Sequence, residues 1–587
     1  MSDFLFSNKQ VENGKLTKDI QAIYDKNPPF VQEYHGEWGS LATSRNIYRA
    51  FQPLETENHL VVVIGGPVLT FQSNDFLTIQ ENSTKGTKAI YDRWLEQSIK
   101  WDEDLDGPYV VLIIDKINGE LLCVTDIMAY IPVFHYQNEE GCFLGTHIDA
   151  LAVAAGQTDN PDLVSHVDFI LHSVVTFPYT AYKGIFQLAP SSEHVVKEAD
   201  LQSTPYWSPE EKNPYTSLKE AAKDIDKALT TYVDRITEGM DTIGQFISGG
   251  EDSRLLSALL PKKAKREAFI FLDNLNREGK VAEKAADAYG ANLKLATRDK
   301  LHYLDILPAC VNMVGNGAQY FHAHTFGFHE SCHLNDFEAV FGGLFSDALL
   351  KGARIKKVRG TKRFPFLPQI KNTSYSAGAE IRKPEFNKEI LEKLTKRRQL
   401  HLEKVKQFRD DSADEWFEMW PVSMNMNIPN LHVNRRLFRS YEPFMTNDIV
   451  KISAAVPQEW KLNRKLFHKA SKRRLRPTKW LAHSDGRLPY FPWYINSVIQ
   501  FCYFVYEKIG RKAGFVKGNQ GPWGEWDVVM NSKEWQESVK KYATGADGLS
   551  EVFMSSDIKL LFEKSSLNYV QRINLLQTLY SFWRNKQ

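Results

Sequence analysis

The sequence predicts an α/β protein in two parts, a β-rich first part and a second part built on a parallel sheet. Residues 60–64 and 109–114 are unbroken apolar runs, typical of strands that are covered on both faces. Between residues 242 and 296, strand-length apolar runs alternate with helix-length segments, as a parallel sheet with crossover helices requires. Beyond about residue 375 the pattern is mostly helical.

Composition indicates an ordinary folded protein without a strong electrostatic preference. The 587 residues are enough for two or three domains, and 43% of them are hydrophobic and 25% charged. A net charge of +1 gives no general attraction to nucleic acid or membranes. The five cysteines form no CxxC pair, and the first residues do not resemble a signal peptide. We therefore expect a cytoplasmic protein, in which the apolar segment 493–506 is a buried or half-buried helix too short to span a membrane.

The boundary between the two parts is expected near residue 210. Residues 208–216 are rich in Pro, Glu and Lys, which indicates a linker between domains at residues 1–210 and 211–587. Ser217 and Glu220 have the spacing of a capping box at the start of a helix. The apolar residues that follow at helical spacing are Leu218, Ala221, Ile225, Ala228, Leu229, Tyr232, Val233 and Ile236.

The most informative segment is SGGEDS at residues 248–253, between a predicted strand at 242–247 and a predicted helix at 253–260. Adjacent glycines allow close approach of a ligand, and backbone amides at a helix start bind anions. A carboxylate beside such a site is explained by a divalent cation between it and a phosphate. We therefore predict that the loop binds the pyrophosphate of ATP with Mg²⁺; the alternative is a glycine-rich turn whose Asp and Ser cap a helix. The predicted loop ligands are Ser248, Gly249, Gly250, Asp252 and Ser253.

Further strands should continue the parallel sheet. Strands are predicted at 268–272 and 293–296, separated by a helix at 280–289 that Gly290 terminates. Nucleotides bind at the carboxyl ends of such strands, where the SGGEDS loop would lie. We therefore expect Leu272, the last residue of its strand, to contact the nucleotide.

Several motifs, taken in order, resemble the asparagine synthetase family, whose hallmark loop is S-G-G-x-D-S. Similar segments precede the loop at residues 105–115, 124–133, 145–151 and 184–190, the last followed by Tyr206 and Trp207. The resemblance implies a glutaminase-like, Ntn-type αββα sandwich in the first domain. It implies an adenine nucleotide α-hydrolase-like synthetase domain with a helical C-terminal part in the second, with ATP and Mg²⁺ as cofactors.

A second metal ligand follows from the same resemblance. Residues 339–347 (AVFGGLFSD) are similar to the family motif S-G-E-G-S-D-E, whose Asp helps to hold Mg²⁺. Asp252 and Asp347 would then be the metal pair, with Gly343 at the nucleotide; the alternative for Asp347 is a helix cap. The catalytic Glu of the motif aligns with Leu344, which cannot titrate or hydrogen-bond through its side chain. A general base would come from elsewhere, and Glu380 and His324 are candidates that both have structural alternatives.

The family lysine that stabilises charge during adenylation aligns with Ser484. Lys479 and Arg487 are the candidates to replace it, so Asp252, Lys479 and Arg487 are the predicted catalytic residues. Two basic runs, at 351–363 and 461–479, are either solvated surfaces or a site for triphosphate or an acidic substrate. Polynucleotide binding ranks below both, because few aromatic residues are interleaved with these charges.

The first domain departs from glutamine-using members of the family, in which an N-terminal Cys is the nucleophile. Residue 2 here is Ser, the first cysteine is Cys123, and the family's glutamine-binding N-G-E-I-Y-N segment is replaced by VIGGPV at residues 63–68. We therefore expect a non-catalytic glutaminase-like scaffold that docks on the synthetase half.

Together these features predict an ATP-dependent ligase that adenylates a substrate carboxylate, releases pyrophosphate and passes the acyl group to an amine. The expected substrates are small-molecule or peptide carboxylates and amines, which places the chain nearer to β-lactam-forming and peptide-cyclising relatives. Two other classes stay open. Leu344 and Ser484 favour a nucleotide-binding pseudoenzyme or regulatory partner, and the basic runs favour a nucleotidyl-transfer enzyme acting on a polymeric or carrier-linked substrate. Neither a membrane nor a nucleic-acid partner is expected, and a homodimer is left open.

Overall fold

The computed structural model describes residues 3–139, 141–198, 200–356, 376–513, 521–549, 551–554, 558–563 and 565–586. Ser2, and the four members Lys357, Arg359, Lys362 and Arg363 of the first basic run, lie outside the described residues.

The first part contains two antiparallel six-stranded sheets, with the orders β12-β10-β11-β1-β3-β2 and β14-β13-β9-β8-β5-β4, and a short β6-β7 pair. The strands are β1 Phe4–Ser7, β2 Val31–Gly36, β3 Gly39–Ser44, β4 Leu54–Glu55, β5 His59–Gly65, β6 Val68–Leu69, β7 Leu105–Asp106, β8 Tyr109–Asp115, β9 Glu120–Thr125, β10 Phe134–Asn138, β11 Gly141–Gly145, β12 Ile185–Gln187, β13 Ser192–Lys197 and β14 Asp200–Pro205. The helices of this part are α1 Lys15–Gln21, α2 Lys85–Leu95, α3 Trp101–Asp104, α4 Ile148–Ala154 and α5 Leu163–His172.

The two sheets pack face to face between helices, which confirms the predicted αββα sandwich. Alternate side chains of β5 explain why its apolar run is unbroken: Val62 packs against the first sheet through Phe4 and Phe6. Val61 and Val63 point to the opposite face, where α2 and the first helix of the second part cover them. Helices α1 and α4 cover the outer face of the other sheet.

The second part is built on a five-stranded, all-parallel sheet with the order β17-β16-β15-β18-β19. Its strands are β15 Thr242–Phe246, β16 Lys265–Leu272, β17 Asn292–Thr297, β18 Ala339–Phe341 and β19 Ser440–Tyr441. Its helices are α6 Leu218–Thr237, α7 Glu251–Leu259, α8 Arg277–Tyr289, α9 His302–Asp305, α10 Leu307–Val314, α11 Ser346–Leu350, α12 Lys388–Lys406, α13 Ala413–Trp416, α14 Ile428–Leu437, α15 Asn447–Ala455, α16 Gln458–Lys461, α17 Lys465–Ser471, α18 Trp493–Lys512, α19 Trp526–Met530, α20 Lys533–Tyr542, α21 Lys559–Glu563 and α22 Tyr569–Arg584.

Local signals set the ends of the helices around this sheet. The Ser217 hydroxyl accepts the Glu220 N–H at the start of α6, as the capping pattern predicted, although the Glu220 carboxylate accepts the N–H of Thr216 instead. Gly290 ends α8 in the left-handed conformation at φ 74°, which a glycine adopts without steric cost. Helices α7 and α8 cross over between adjacent parallel strands, so the carboxyl ends of all five strands meet at one edge.

The prediction that the helix at 493–506 is buried or half-buried is wrong. This segment forms α18, and most of its apolar side chains are exposed. Val498 is 59% exposed and Tyr506 is 60% exposed. The polar Asn496 faces inward instead, because its amide donates to the carbonyls of Leu488 and Phe491 in the preceding loop. Within the part of the chain that the structure describes, no helix has the length and apolar character needed to cross a membrane.

Candidate active site

The SGGEDS loop connects the carboxyl end of β15 to the amino end of α7. Its shape is held by hydroxyls: Ser253 Oγ accepts the Ser248 N–H at 3.1 Å, and Ser248 Oγ accepts the Gly250 N–H at 3.1 Å. The Gly249 N–H donates to the buried carboxylate of Glu278 at 2.6 Å. The loop thus binds one anionic oxygen through its backbone, whereas binding of a pyrophosphate stays a prediction.

Close packing explains why the loop carries two glycines. A Cβ atom at Gly249 would lie 3.0 Å from Val281 Cγ1 and 3.2 Å from Glu278 Oε1. A Cβ atom at Gly250 would lie 2.9 Å from Ser248 Oγ. A side chain at Gly249 would therefore press on α8, and one at Gly250 would press on the Ser248 hydroxyl within the loop.

The predicted metal pair meets at one point, and the ammonium of Lys351 fills that point. Lys351 Nζ contacts Asp252 Oδ1 and lies 3.0 Å from Asp347 Oδ1 and 3.5 Å from Glu251 Oε1. Although burial lowers the pKa of Lys351, the three carboxylates raise it above its ordinary value, so the side chain is charged. The structure therefore brings Asp252 and Asp347 together, but the cation between them is the ammonium of Lys351.

The carboxylates of Asp252 and Asp347 fit Mg²⁺ only in part, because the ion would need further oxygen ligands from water or phosphate. Mg²⁺ takes one or two carboxylates and completes its coordination with water and phosphate oxygens. Within the described residues, no cluster of three or more His, Cys, Asp or Glu side chains could hold a metal alone. Asp252 and Asp347 could hold the ion only after Lys351 had moved aside.

Further cations surround Glu251, the residue at the variable position of the loop motif. Arg464 Nε lies 2.7 Å from Glu251 Oε1, and Arg487 Nη1 lies 3.5 Å from the same oxygen. Burial would raise the pKa of Glu251, but Lys351 and the two guanidinium groups lower it to about 2. The cluster therefore sets three cations, Lys351, Arg464 and Arg487, against its three carboxylates.

The structure brings one of the two predicted charge suppliers to this cluster. Arg487 is buried, and it also pairs with Asp485 at 2.7 Å. Lys479 is exposed, with its ammonium 5.5 Å above the ring of Trp480, and it contacts none of the cluster carboxylates within the described residues. Ser484, at the family lysine position, is buried.

A cavity of about 270 Å³ opens beside the loop at the carboxyl ends of β15, β16 and β18. The predicted residues that line it include Ser248, Asp252, Ser253, Gly343 and His324. Leu272 does not line it, because its side chain is buried against α8. Glu380 also lies elsewhere, in an exposed pair with Arg382 at 2.7 Å.

Two cavity residues, Arg298 and Glu442, were not predicted from the sequence. Arg298 donates to the Tyr303 hydroxyl at 2.8 Å and pairs with Asp273 at 3.0 Å, which fixes its guanidinium at the cavity wall. Glu442 follows β19 directly and accepts the N–H of Leu344 at 2.9 Å. Neither belongs to a local motif, because the sheet order alone brings them to the loop.

The amino end of β1 is closed by a buried ion-pair network. Asp3 is fully buried and pairs with Arg436 at 2.7 Å and Arg435 at 3.1 Å, both on α14 of the second part. Although burial raises the pKa of Asp3, the two guanidinium groups hold it below its ordinary value. The network locks the start of the first sheet onto the second part of the chain.

Comparison with known protein families agrees with this two-part arrangement. A glutamine amidotransferase domain matches residues 37–207, and an asparagine synthase domain matches residues 224–484. Together the two matches support an asparagine synthetase-like family. The asparagine synthase domain makes the chain an ATP-dependent, amide-forming ligase in general terms, and this family uses ATP, generally with Mg²⁺.

Similarity to individual proteins is low. A comparison with curated proteins found no match. Glutamine phosphoribosylpyrophosphate amidotransferase from B. subtilis, solved with ADP and GMP, is 11% identical, with 62% of this chain and 77% of that chain covered and a TM-score of 0.24. A structure of the allosteric regulatory enzyme of purine biosynthesis is 9% identical, with the same coverage and TM-score. At TM-scores this low, neither structure informs the function of this chain.

Proposed function

We propose that this asparagine synthetase-like chain uses ATP to convert a substrate carboxylate into an acyl-adenylate and then transfers the acyl group to an amine. The observation that supports this most strongly is the meeting of Asp252 and Asp347 around one cation position, beside an anion-binding loop and a cavity. These features lie at the carboxyl edge of a parallel sheet, where such sheets bind nucleotides.

In the proposed first step, a substrate carboxylate oxygen bonds to the α-phosphorus of ATP as the bond to pyrophosphate breaks. The loop amides and the hydroxyls of Ser248 and Ser253 would hold the leaving pyrophosphate. Arg464 and Arg487 would stabilise its charge from fixed positions, in place of the lysine that Ser484 replaces. Mg²⁺ on Asp252 and Asp347 would supply further positive charge to the phosphates.

Lys351 has a second role in this proposal. If Asp252 and Asp347 held a metal, the ammonium would have to leave that point, and it could then pair with phosphate oxygens of the nucleotide. The charge of Lys351 lies four residues after Asp347 in the sequence, on the same side of the site. It would compensate for the missing family lysine.

The amine would come from a substrate or from free ammonia, not from glutamine cleaved by the first domain. The buried pairing of Asp3 with Arg435 and Arg436 supports this proposal, because it places arginine side chains at the amino end of β1. We also propose that the domains divide near residue 210, with the first domain serving as a scaffold.

Pyrophosphate–ATP exchange, measured with a panel of carboxylic and amino acids, tests the adenylation step. We expect exchange with at least one carboxylate, and a loss of about 100-fold or more in Asp252→Asn. Lys479→Met is the matched control, because that lysine is exposed and away from the cluster. Exchange that persists in Asp252→Asn would remove the role proposed for this carboxylate.

A nucleotide-binding pseudoenzyme is the second candidate, and the Lys351 ammonium at the cation position favours it. Such a protein would bind ATP equally well with and without Mg²⁺ and would show no exchange. The proposed ligase should bind ATP more tightly when Mg²⁺ is present.

A further inference from the structure

Glu442 delivers a carboxyl group to the place where the family motif would have its catalytic Glu. That Glu aligns with Leu344, and the Leu344 N–H donates to Glu442 Oε2 at 2.9 Å. Glu442 directly follows β19, the strand that pairs in parallel with β18 just before Gly342. The neighbouring strand therefore places the Glu442 carboxyl within hydrogen-bond distance of the backbone of Leu344, the residue at the motif position of the family Glu.

The carboxyl of Glu442 is part of the cavity wall and retains an unused oxygen. It lines the same cavity of about 270 Å³ as Ser248, Asp252 and His324. Its Oε1 atom is buried and has no hydrogen-bond partner among the described residues. A Cβ atom at Gly342 would overlap this oxygen, so the glycine at this position leaves the space that the carboxyl occupies.

The surroundings of Glu442 give it a proton affinity suited to acid–base work. Burial raises the pKa of Glu442 from 4.5 to about 8, and the Leu344 N–H and the nearby Ser440 hydroxyl offset this only in part. A base works best when its pKa is close to the working pH. The titratable and charged groups that line the cavity with it are Asp252, Arg298 and His324, and Tyr48 and Tyr232 lie close enough to be affected by its charge.

The other titratable groups of the cavity are less suited to accept a proton. Burial holds the pKa of His324 well below its ordinary value, and its ring packs edge-on against Trp523 at 4.7 Å. Asp252 is in contact with Lys351. Glu442 has no such ion pair within the described residues, and it is the carboxyl nearest to the motif position that Leu344 occupies.

We propose that Glu442 is the general base of the second step, the proton acceptor for the amine that attacks the acyl-adenylate. This rests on the proposed function. The amine nitrogen bonds to the acyl carbon, and the bond from that carbon to the phosphate oxygen breaks, so AMP leaves with the electron pair. The proton that the nitrogen loses passes to the Glu442 carboxylate, and the products are an amide, AMP and protonated Glu442.

The test separates the two half-reactions in Glu442→Gln. Pyrophosphate–ATP exchange should stay within about threefold of the wild-type rate, because within the described residues no hydrogen bond or ion pair joins the carboxyl to the SGGEDS loop. Amide formation in a single turnover should fall by about 100-fold or more. In the wild type it should rise with pH to a plateau above about pH 8, and Glu442→Gln should lose this dependence.

Two further variants complete the test. Glu338→Gln is the matched control, because Glu338 accepts the N–H groups of Asp241 and Thr242 at the opposite edge of the same sheet. It should leave both half-reactions and the pH profile unchanged. Normal amide formation in Glu442→Gln overturns the proposal. It is also overturned if His324→Gln loses the pH dependence of amide formation while Glu442→Gln keeps it. Absence of exchange in the wild type overturns the proposed function itself, and the inference with it.

Discussion

Replacing Lys351 with Met tests whether its ammonium occupies the position of a bound metal cation between Asp252 and Asp347. Met is unbranched and of similar length, so it can keep the contact with the Phe467 ring, which lies 4.7 Å from the ammonium. The substitution therefore removes the charge and leaves most of the packing. The buried Glu251, the partly buried Asp252 and the exposed Asp347 then lose their shared partner.

The expected cost follows from the burial of this cluster. Lys351 is 5% exposed, and Asp252 has no other ion-pair partner among the described residues, whereas Glu251 keeps Arg464 and Arg487. Removing one partner of a buried charge pair costs about 3–5 kcal/mol in free energy of unfolding. We expect Lys351→Met to lose about 3 kcal/mol without metal, because the cluster keeps two of its three cations.

Mg²⁺ with ATP should restore most of this loss. A ligand at about 100 times its Kd adds about 2.7 kcal/mol, and wild type should gain less because its ammonium must first be displaced. Urea unfolding of wild type, Lys351→Met and the exposed control Lys479→Met, each with and without Mg²⁺ and ATP, measures both effects. Equal stability of the two variants, or an equal response to Mg²⁺ and ATP, would refute this reasoning.

Three further predictions concern Gly342, Glu442 and Asp3. Gly342→Ala should cost about 1–3 kcal/mol in urea unfolding and reduce amide formation, because the new Cβ overlaps Glu442 Oε1; an unchanged single-turnover rate would contradict this. Burial raises the pKa of Glu442 from 4.5 to about 8, so the folded state holds its proton more tightly than the unfolded state. That contribution is complete below about pH 4.5 and is lost as the pH rises through 8, so wild type should lose stability relative to Glu442→Gln between pH 5 and 8.5; parallel urea midpoints across that range would exclude the shift. Asp3→Asn should cost about 3–5 kcal/mol, since Arg436 remains buried without its anion, whereas Asp92→Asn at the surface should change stability by under about 1 kcal/mol; equal costs would argue against the buried network.

Local patterns in the sequence were sufficient for the elements around the loop. Apolar runs and capping residues predicted β15, β16 and the end of α8 at Gly290 to within a few residues, because these signals depend on near neighbours. The position of Asp252 followed from a six-residue motif for the same reason. The outward face of α18 could not be predicted, because apolar spacing identifies a helix face but not the surface it meets.

The rest of the site depends on contacts between distant segments. Glu442 reaches Leu344 only because β19 pairs with β18, and nothing near residue 442 signals a role. Arg464 is directed at Glu251 by a backbone in the left-handed conformation at φ 62°, which residue type does not reveal. Lys351 did leave a local signal, since it lies four residues after Asp347 on one helical face, the spacing of an ion pair.

Calorimetric titration of a non-hydrolysable ATP analogue, with and without Mg²⁺, is the most direct test of a nucleotide held between the loop and Asp252. Wild type should bind the analogue at least tenfold more tightly with Mg²⁺ than without it, and Asp252→Asn should lose this enhancement. No binding by wild type, or the same Mg²⁺ enhancement in Asp252→Asn, would contradict the account.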